Sequence, residues 1–205
     1  EVISGFAMDA NGFSPATEKE LMRYCYHVAG AVGVLMARVM FAPNDSFIYD
    51  RACDLGLAFQ LANISRDVIE DAGAGRCYLP EEWLAEAGLT RENYAEEENR
   101  FALAAVVARL VDRMEMYEQA ARLGAKHLRF RQRWAVLSAL RIYGAIGRKA
   151  RERGQLAWDR RIYVPSYKKL WHVAVAFGEA VTRHAPEPRE WPPYKREDLR
   201  PIAGW

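Results

Sequence analysis

From Leu21 onward, the apolar residues Leu21, Cys25, Val28, Val32, Leu35 and Val39 recur at spacings of 4-3-4-3-4. That is the period of one face of a helix, and a strand, with its period of two, cannot gather these residues on one side. The run is preceded by Thr17-Glu18-Lys19-Glu20, a capping box with Thr17 at the N-cap and Glu20 reaching back. Ala29, Gly30, Ala31 and Gly33 leave little polar surface, so the pattern predicts a buried helix, which Pro43-Asn44-Asp45 ends. A second long helix is expected over about 46–71, stopped by Gly73 and Gly75. Further helices are expected over about 80–87, 97–123, 131–153 and 166–184, the last with Leu170, Val173, Phe177 and Val181 on one side. Strand-like alternation is absent, and the residues before Pro15 carry no clear signal. The segment 185–205 holds five of the nine prolines and is expected to be an irregular tail. At 205 residues the chain has material for one core and is short for two, so the expectation is one all-α domain over 1–184 followed by that tail.

Composition excludes several functions. With 29 Lys plus Arg against 27 Asp plus Glu, there is no electrostatic footprint for nucleic acid. The basic run from Lys126 to Arg133, with Phe130 and Trp134 interleaved, then reads as a solvated helix start. Three cysteines, Cys25, Cys53 and Cys77, form no C-x-x-C pair and point to a reduced, cytosolic chain. No apolar run approaches the ~18–20 residues a membrane span needs, since the best candidate, Val28 to Val39, contains Arg38. The tail aromatics Trp191, Tyr194 and Trp205 are the candidates for peripheral contact with a bilayer. His27, His127, His172 and His184 lack a zinc-site spacing, and there is no G-x-S-x-G elbow. Gly73-Ala74-Gly75-Arg76 is too short for a phosphate-cradling loop and reads as a helix stop.

The informative segment is Leu55 to Asp71. At ~100° per residue, Gln60, Asn63, Asp67 and Asp71 fall in a sector roughly 80° wide. Leu57, Leu61, Ile64 and Val68 flank it on one side, Phe59 and Ala62 on the other. A surface helix has a broad polar face; a narrow polar stripe between apolar flanks predicts an enclosed polar site. Glu70 and Asp71 add negative charge where the helix carbonyls are already partly negative, and Asp67 stands about 6 Å from Asp71. A divalent cation relieves both conflicts, and two carboxylates with an Asn oxygen are hard ligands of the kind Mg²⁺ accepts. The competing reading is a structural network in which Arg66 and Arg76 neutralise the acids; spacing alone leaves both open.

The stretch Asp54 to Pro80, D-L-G-L-A-F-Q-L-A-N-I-S-R-D-V-I-E-D-A-G-A-G-R-C-Y-L-P, resembles the second aspartate-rich signature of the squalene and phytoene synthases. Tyr24 to Gly33, Y-C-Y-H-V-A-G-A-V-G, resembles another signature of the same family, and the similarity extends from Gly5-Phe6-Ala7-Met8-Asp9 to Trp158-Asp159-Arg160-Arg161. R-A-C-D-L-G-L-A-F-Q-L and G-R-C-Y-L-P look most like the bacterial, phytoene-forming branch. The resemblance implies an all-α isoprenoid-synthase bundle around a central cavity. It implies head-to-head condensation of two geranylgeranyl diphosphates through a cyclopropylcarbinyl diphosphate, with Mg²⁺ or Mn²⁺ and without NADPH. By the same resemblance Asn63, Asp67 and Asp71 hold the metal, Gln60, Arg66 and Arg160 lie near the diphosphate, and Tyr143 contacts substrate. Tyr24, Val28, Ala29, Val32 and Gly33 are expected to line a dry pocket, their small members leaving room for a prenyl chain.

The family's first aspartate-rich motif, expected on an earlier helix across the cavity, has no counterpart here, and the chain opens on Glu1 rather than Met. The expectation is a C-terminal portion without its N-terminal helices, inactive by itself. Two alternatives stand beside it: a squalene or dehydrosqualene synthase using farnesyl diphosphate, and a non-catalytic relative serving assembly, against which the intact stripe argues.

Overall fold

The structure, a computed structural model, describes residues 1–200, and those residues contain helices and no strands. Helix α1 (Val2–Ala10) leads through a short loop to α2 (Glu18–Cys25), where the Thr17 side chain accepts a hydrogen bond from the Glu20 amide, as the capping box predicts. A π turn over Tyr26–Gly30 joins α2 to α3 (Ala31–Val39), making one continuous rod. Phe41, in the left-handed region at φ 53°, breaks the rod, and Asp45 caps α4 (Ser46–Gly73) by accepting from the amides of Phe47 and Ile48. There follow α5 (Glu81–Glu86), α6 (Arg100–Ala125), α7 (Phe130–Arg153), α8 (Ser166–Thr182) and the single turn α9 (Arg196–Leu199).

Helix α4 is the central element, packed against α6, α7 and the rod. Leu57 and Leu61 of α4 are fully buried with Leu21 and Met22 of α2 and Leu103, Leu110, Met114 and Tyr117 of α6. Where rod and α4 cross, neither has a side chain in the way. A Cβ on Gly33 would lie 2.1 Å from the Ala52 carbonyl oxygen, and one on Gly56 would lie 2.2 Å from that of Ala29. Two glycines thus let the backbones touch. Gly33, expected to leave room for a ligand, serves this crossing and also lines an apolar groove.

The rod departs from the expected buried stripe. Leu21 and Cys25 are fully buried, but Val32, Leu35 and Val39 are 39%, 54% and 68% exposed. The π turn inserts one residue and shifts the helical phase, so that Ala31 and Ala37 take the inward positions of α3. A slip of one residue is invisible to spacing read across the whole segment.

Two other expectations change. Arg133 is not solvated: it is buried, and its guanidinium donates to the carbonyls of Ala180 at 2.8 Å and Leu128 at 2.9 Å, tying the start of α7 to the end of α8. The prolines do keep 185–200 irregular apart from α9, yet this stretch lies against the bundle. Tyr117 donates to the Tyr194 carbonyl, Arg196 pairs with Asp50 at 2.6 Å, Leu199 is fully buried, and the Arg51 guanidinium covers the Trp191 ring. Trp205 lies outside the described residues. No helix among the described residues is long and apolar enough to cross a membrane.

The crossing generates a test. Gly56→Ala forces its methyl into the Ala29 carbonyl and is expected to lower stability by roughly 1–3 kcal/mol, read from urea unfolding. Gly73→Ala, where a Cβ meets nothing within 4 Å, is expected to leave stability at or above the parent level.

Candidate active site

The C-terminal half of α4 carries Gln60, Asn63, Asp67 and Asp71 on one face, all partly buried. Neither Gln60 nor Asn63 uses its side chain in a hydrogen bond among the described residues, so both amides are free for a ligand. Arg66 grips Asp67 with two bonds, Nε to Oδ1 at 2.7 Å and Nη2 to Oδ2 at 2.5 Å. The structural-network reading therefore holds for this one pair. It fails for Asp71, which has no ion-pair partner among the described residues. Burial, and then the Asp67 charge, push its carboxyl from the ordinary 3.8 up to about 6, with Glu70 and Asp9 adding to the effect and Arg76 opposing it.

Asp9 comes from the end of α1, a helix without a clear sequence signal. Its Oδ1 accepts from the hydroxyls of Tyr24 and Tyr78, each at 2.9 Å. The two rings stack with centroids 4.9 Å apart, and Phe13 stacks on the far side of Tyr24 at 5.1 Å. Tyr24 thus faces a polar cluster rather than the dry wall expected of it. Burial, followed by the bonds to Tyr78 and Asp9, holds it as a neutral phenol. Asp9 and Tyr78 were legible only as members of matching segments, G-F-A-M-D and G-R-C-Y-L-P, with no pattern of their own to assign a role.

Toward the N-terminal half of α4 the surroundings turn apolar. Val28, Ala29 and Val32 of the rod, Phe59 of α4 and Ala135 and Ala139 of α7 line a groove of about 360 Å³. Tyr143 of α7 stacks on Phe59 with centroids 4.3 Å apart, at the junction between this groove and Arg66. Helical rise places Phe59 and Asp71 ~18 Å apart along the axis, so one helix carries an apolar trough and an acidic head in sequence. The central cavity expected from sequence is an open groove among the described residues, with Val32 and Met36 exposed on its lip.

Arg160 is exposed, and the basic side chain that reaches α4 is its neighbour: Arg161 bonds both oxygens of Glu70, at 3.0 and 2.9 Å. Trp158 anchors the same loop by donating to the Ser65 carbonyl. Flanking sequence could not separate two adjacent arginines. All three cysteines are free.

Among the described residues no three His, Cys, Asp or Glu side chains converge closely enough to enclose a metal ion. What α4 offers is two carboxylates and an amide oxygen along one face, one of the carboxylates uncompensated. Such a donor set fits a hard divalent cation that retains positions for water and phosphate.

The fold defines the class first. The chain superposes on the crystal structure of a dehydrosqualene synthase with a TM-score of 0.80 at 28% identity, over 88% of this chain and 64% of that one, placing it among the all-helical isoprenoid synthases. Residues 1–168 match the squalene/phytoene synthase family, and the chain belongs to that family. It is 50% identical over 188 residues to a 15-cis-phytoene synthase of Enterobacter agglomerans, covering 90% of this chain and 63% of the relative. It is 48% identical over 190 residues to a phytoene synthase of Pseudescherichia vulneris, covering 91% and 61%. The chain therefore spans about three-fifths of the length of these relatives.

The raised Asp71 predicts a pH dependence. The folded chain holds this proton to higher pH than the unfolded chain does, so the contribution is fully present below about pH 4 and lost as pH rises through about 6. Asp71→Asn is expected to raise stability near pH 7 by on the order of 1 kcal/mol, allowing for solvent screening, and to change little near pH 4. Thermal unfolding of both proteins at the two pH values checks this.

Proposed function

We propose that this chain forms the second-aspartate-motif half of a phytoene-forming active site, joining two geranylgeranyl diphosphates head to head for carotenoid biosynthesis. The observation that carries the reading is the run along α4 from an apolar groove to an acidic, partly unpaired head, together with the likeness to named phytoene synthases. A prenyl diphosphate has that same polarity, a long hydrocarbon with a phosphate end.

Each residue has a part. Val28, Ala29, Val32 and Phe59 hold the prenyl chain and exclude water, which would otherwise capture the allylic cation. The Phe59–Tyr143 stack sets a flat aromatic wall where the chain meets the head. Asn63, Asp67 and Asp71 would hold Mg²⁺, which when bound neutralises diphosphate so that it can leave. Arg66 holds Asp67 in place through two bonds, and bonding to diphosphate requires it to exchange that partner. Gln60 supplies a free amide near the same end. Asp9 fixes the Tyr24 and Tyr78 hydroxyls as neutral donors beside Asp71. Product formation needs no nicotinamide, because the cation left when the cyclopropylcarbinyl diphosphate gives up its diphosphate and rearranges is quenched by losing a proton rather than by accepting a hydride.

One acidic head is half of what the family resemblance implies, so the 205 residues alone are expected to bind magnesium and pyrophosphate and not to turn over. Calorimetry with Mg²⁺ and pyrophosphate should show binding that Asp67→Asn or Asp71→Asn weakens by tenfold or more. Extended N-terminally with the corresponding segment of the Enterobacter agglomerans relative, the chain should convert geranylgeranyl diphosphate to phytoene without NADPH and stop when EDTA is added. Exclusive use of farnesyl diphosphate by that chimera would replace this reading with the dehydrosqualene one. Binding that ignores both substitutions would remove α4 from the site.

A further inference from the structure

A polar cavity of about 420 Å³ lies between α7, the loop over 163–165 and α8. At ~100° per residue its α7 wall, Arg148, Lys149 and Glu152, points ~120° or more away from Tyr143, so it faces away from the groove on α4. Its α8 wall, Lys168, Trp171 and His172, spans a sector of that helix roughly 100° wide. Tyr163 and Trp171 border it and are 64% and 66% exposed.

The charges around this cavity do not balance. Glu152 is the one carboxylate in its lining. Arg148 is already engaged, its Nη1 donating to Glu118 at 2.7 Å. The two lysines are open, with no ion-pair partner among the described residues. Lys149 Nζ makes one bond, to the Tyr163 carbonyl at 3.1 Å, and lies 5.4 Å from the centre of that ring. His172 makes no hydrogen bond among the described residues, and its Nδ1 is buried without a partner. Burial, and then the charges of Arg153 and Lys168, hold Lys149 below the ordinary ammonium range, with Glu152 opposing. Burial, and then Arg141, Arg148 and Lys168, hold His172 toward its neutral form, with Glu118 opposing. Positive groups thus crowd one another across a gap where folding by itself favours opposite signs.

A multiply charged anion relieves that crowding. Both open cations are lysines, compact point charges that suit a tetrahedral phosphate; a planar carboxylate is matched by the arginine fork, and Arg148 is occupied. A neutral His172 adds a ring nitrogen for a further hydrogen bond. The volume falls in the range of small-molecule sites. We propose that the cavity between α7 and α8 binds a small soluble polyanion bearing two or more phosphate groups, Lys149 and Lys168 holding its oxygens from opposite walls, His172 bonding beside them, and Tyr163 and Trp171 flanking the entrance. The site is separate from the acidic head of α4, needs no metal and does not rest on the chemistry assigned there.

The test is calorimetry of the 205-residue chain with inorganic pyrophosphate in EDTA, which withholds the cation that α4 would need. Binding is expected, and its affinity should fall as salt rises. Lys149→Gln and Lys168→Gln should each weaken it roughly tenfold, the range of a lost charged hydrogen bond. Lys169→Gln, next in sequence but on the Ala176 side of α8, should leave it unchanged. ADP distinguishes the source of the phosphates. Tighter binding than pyrophosphate, with tryptophan quenching that Trp171→Leu removes, assigns a nucleotide; equal or weaker binding assigns the diphosphate alone. No binding of pyrophosphate in EDTA overturns the proposal, as does binding that both lining variants leave intact or that Lys169→Gln weakens equally. Should a lining variant fail to fold, the unmodified chain decides. Pyrophosphate should then slow acetylation of Lys149 and Lys168 several-fold relative to Lys169, read by mass spectrometry, and equal rates of modification with and without it overturn the assignment.

Discussion

Backbone contact between the rod and α4, permitted by Gly33 and Gly56, sets the geometry of everything around the site. Because Gly33 meets the Ala52 carbonyl and Gly56 meets that of Ala29, the two helices cross closely. That crossing puts Val28, Ala29 and Val32 beside Phe59 to make the groove. It also holds the α2 end of the rod where Tyr24 can reach Asp9 and stack on Tyr78. A single added methyl at either glycine would part the helices, and the trough and the polar cluster would move together.

The second governing feature is an unfavourable accumulation of negative charge. Glu70 and Asp71 close α4 at the end where its dipole already repels them, with Asp67 one turn back and Asp9 adding to the field on Asp71. The fold answers part of this with Arg66 on Asp67 and Arg161 on Glu70. Asp71 is left with burial and no partner. Folding alone gains nothing from such an arrangement, and structures retain local conflict of this kind where a site needs it. The same logic separates this cluster from the Arg122–Glu118–Glu179–Arg141 network between α6, α7 and α8, where every charge is matched and the effect is mechanical.

Apolar side chains stay exposed on several helices, and the faces of α3 and α8 differ in kind. The α3 face borders the groove through Val32 and Met36 and belongs to the site's open side. The α8 face lies on the far side of α7 from that groove, its helix held by Ala176 and Ala180 against Leu137 and Leu140 and by Glu179 between Arg122 and Arg141. Apolar area is common to both; their position relative to the groove distinguishes them.

The all-α class, the boundaries of the long helices after the rod, the Thr17 cap and the polar stripe of α4 were readable from local periodicity and chemistry, since helix formation and side-chain phase depend on neighbours three and four residues away. The family signatures were likewise contiguous strings. What only the tertiary structure decided depends on residues far apart in the chain: that Asp9 joins Tyr24 and Tyr78, that Arg161 rather than Arg160 meets α4, that Asp71 stands unpaired while Asp67 does not, and that 185–200 lies on the bundle. The π turn belongs with these, because it changes the phase of α3 by a backbone choice that side-chain spacing does not record. Periodicity tells which side chains share a face of one helix; which face meets another helix, and at what distance, is settled only by how whole helices pack.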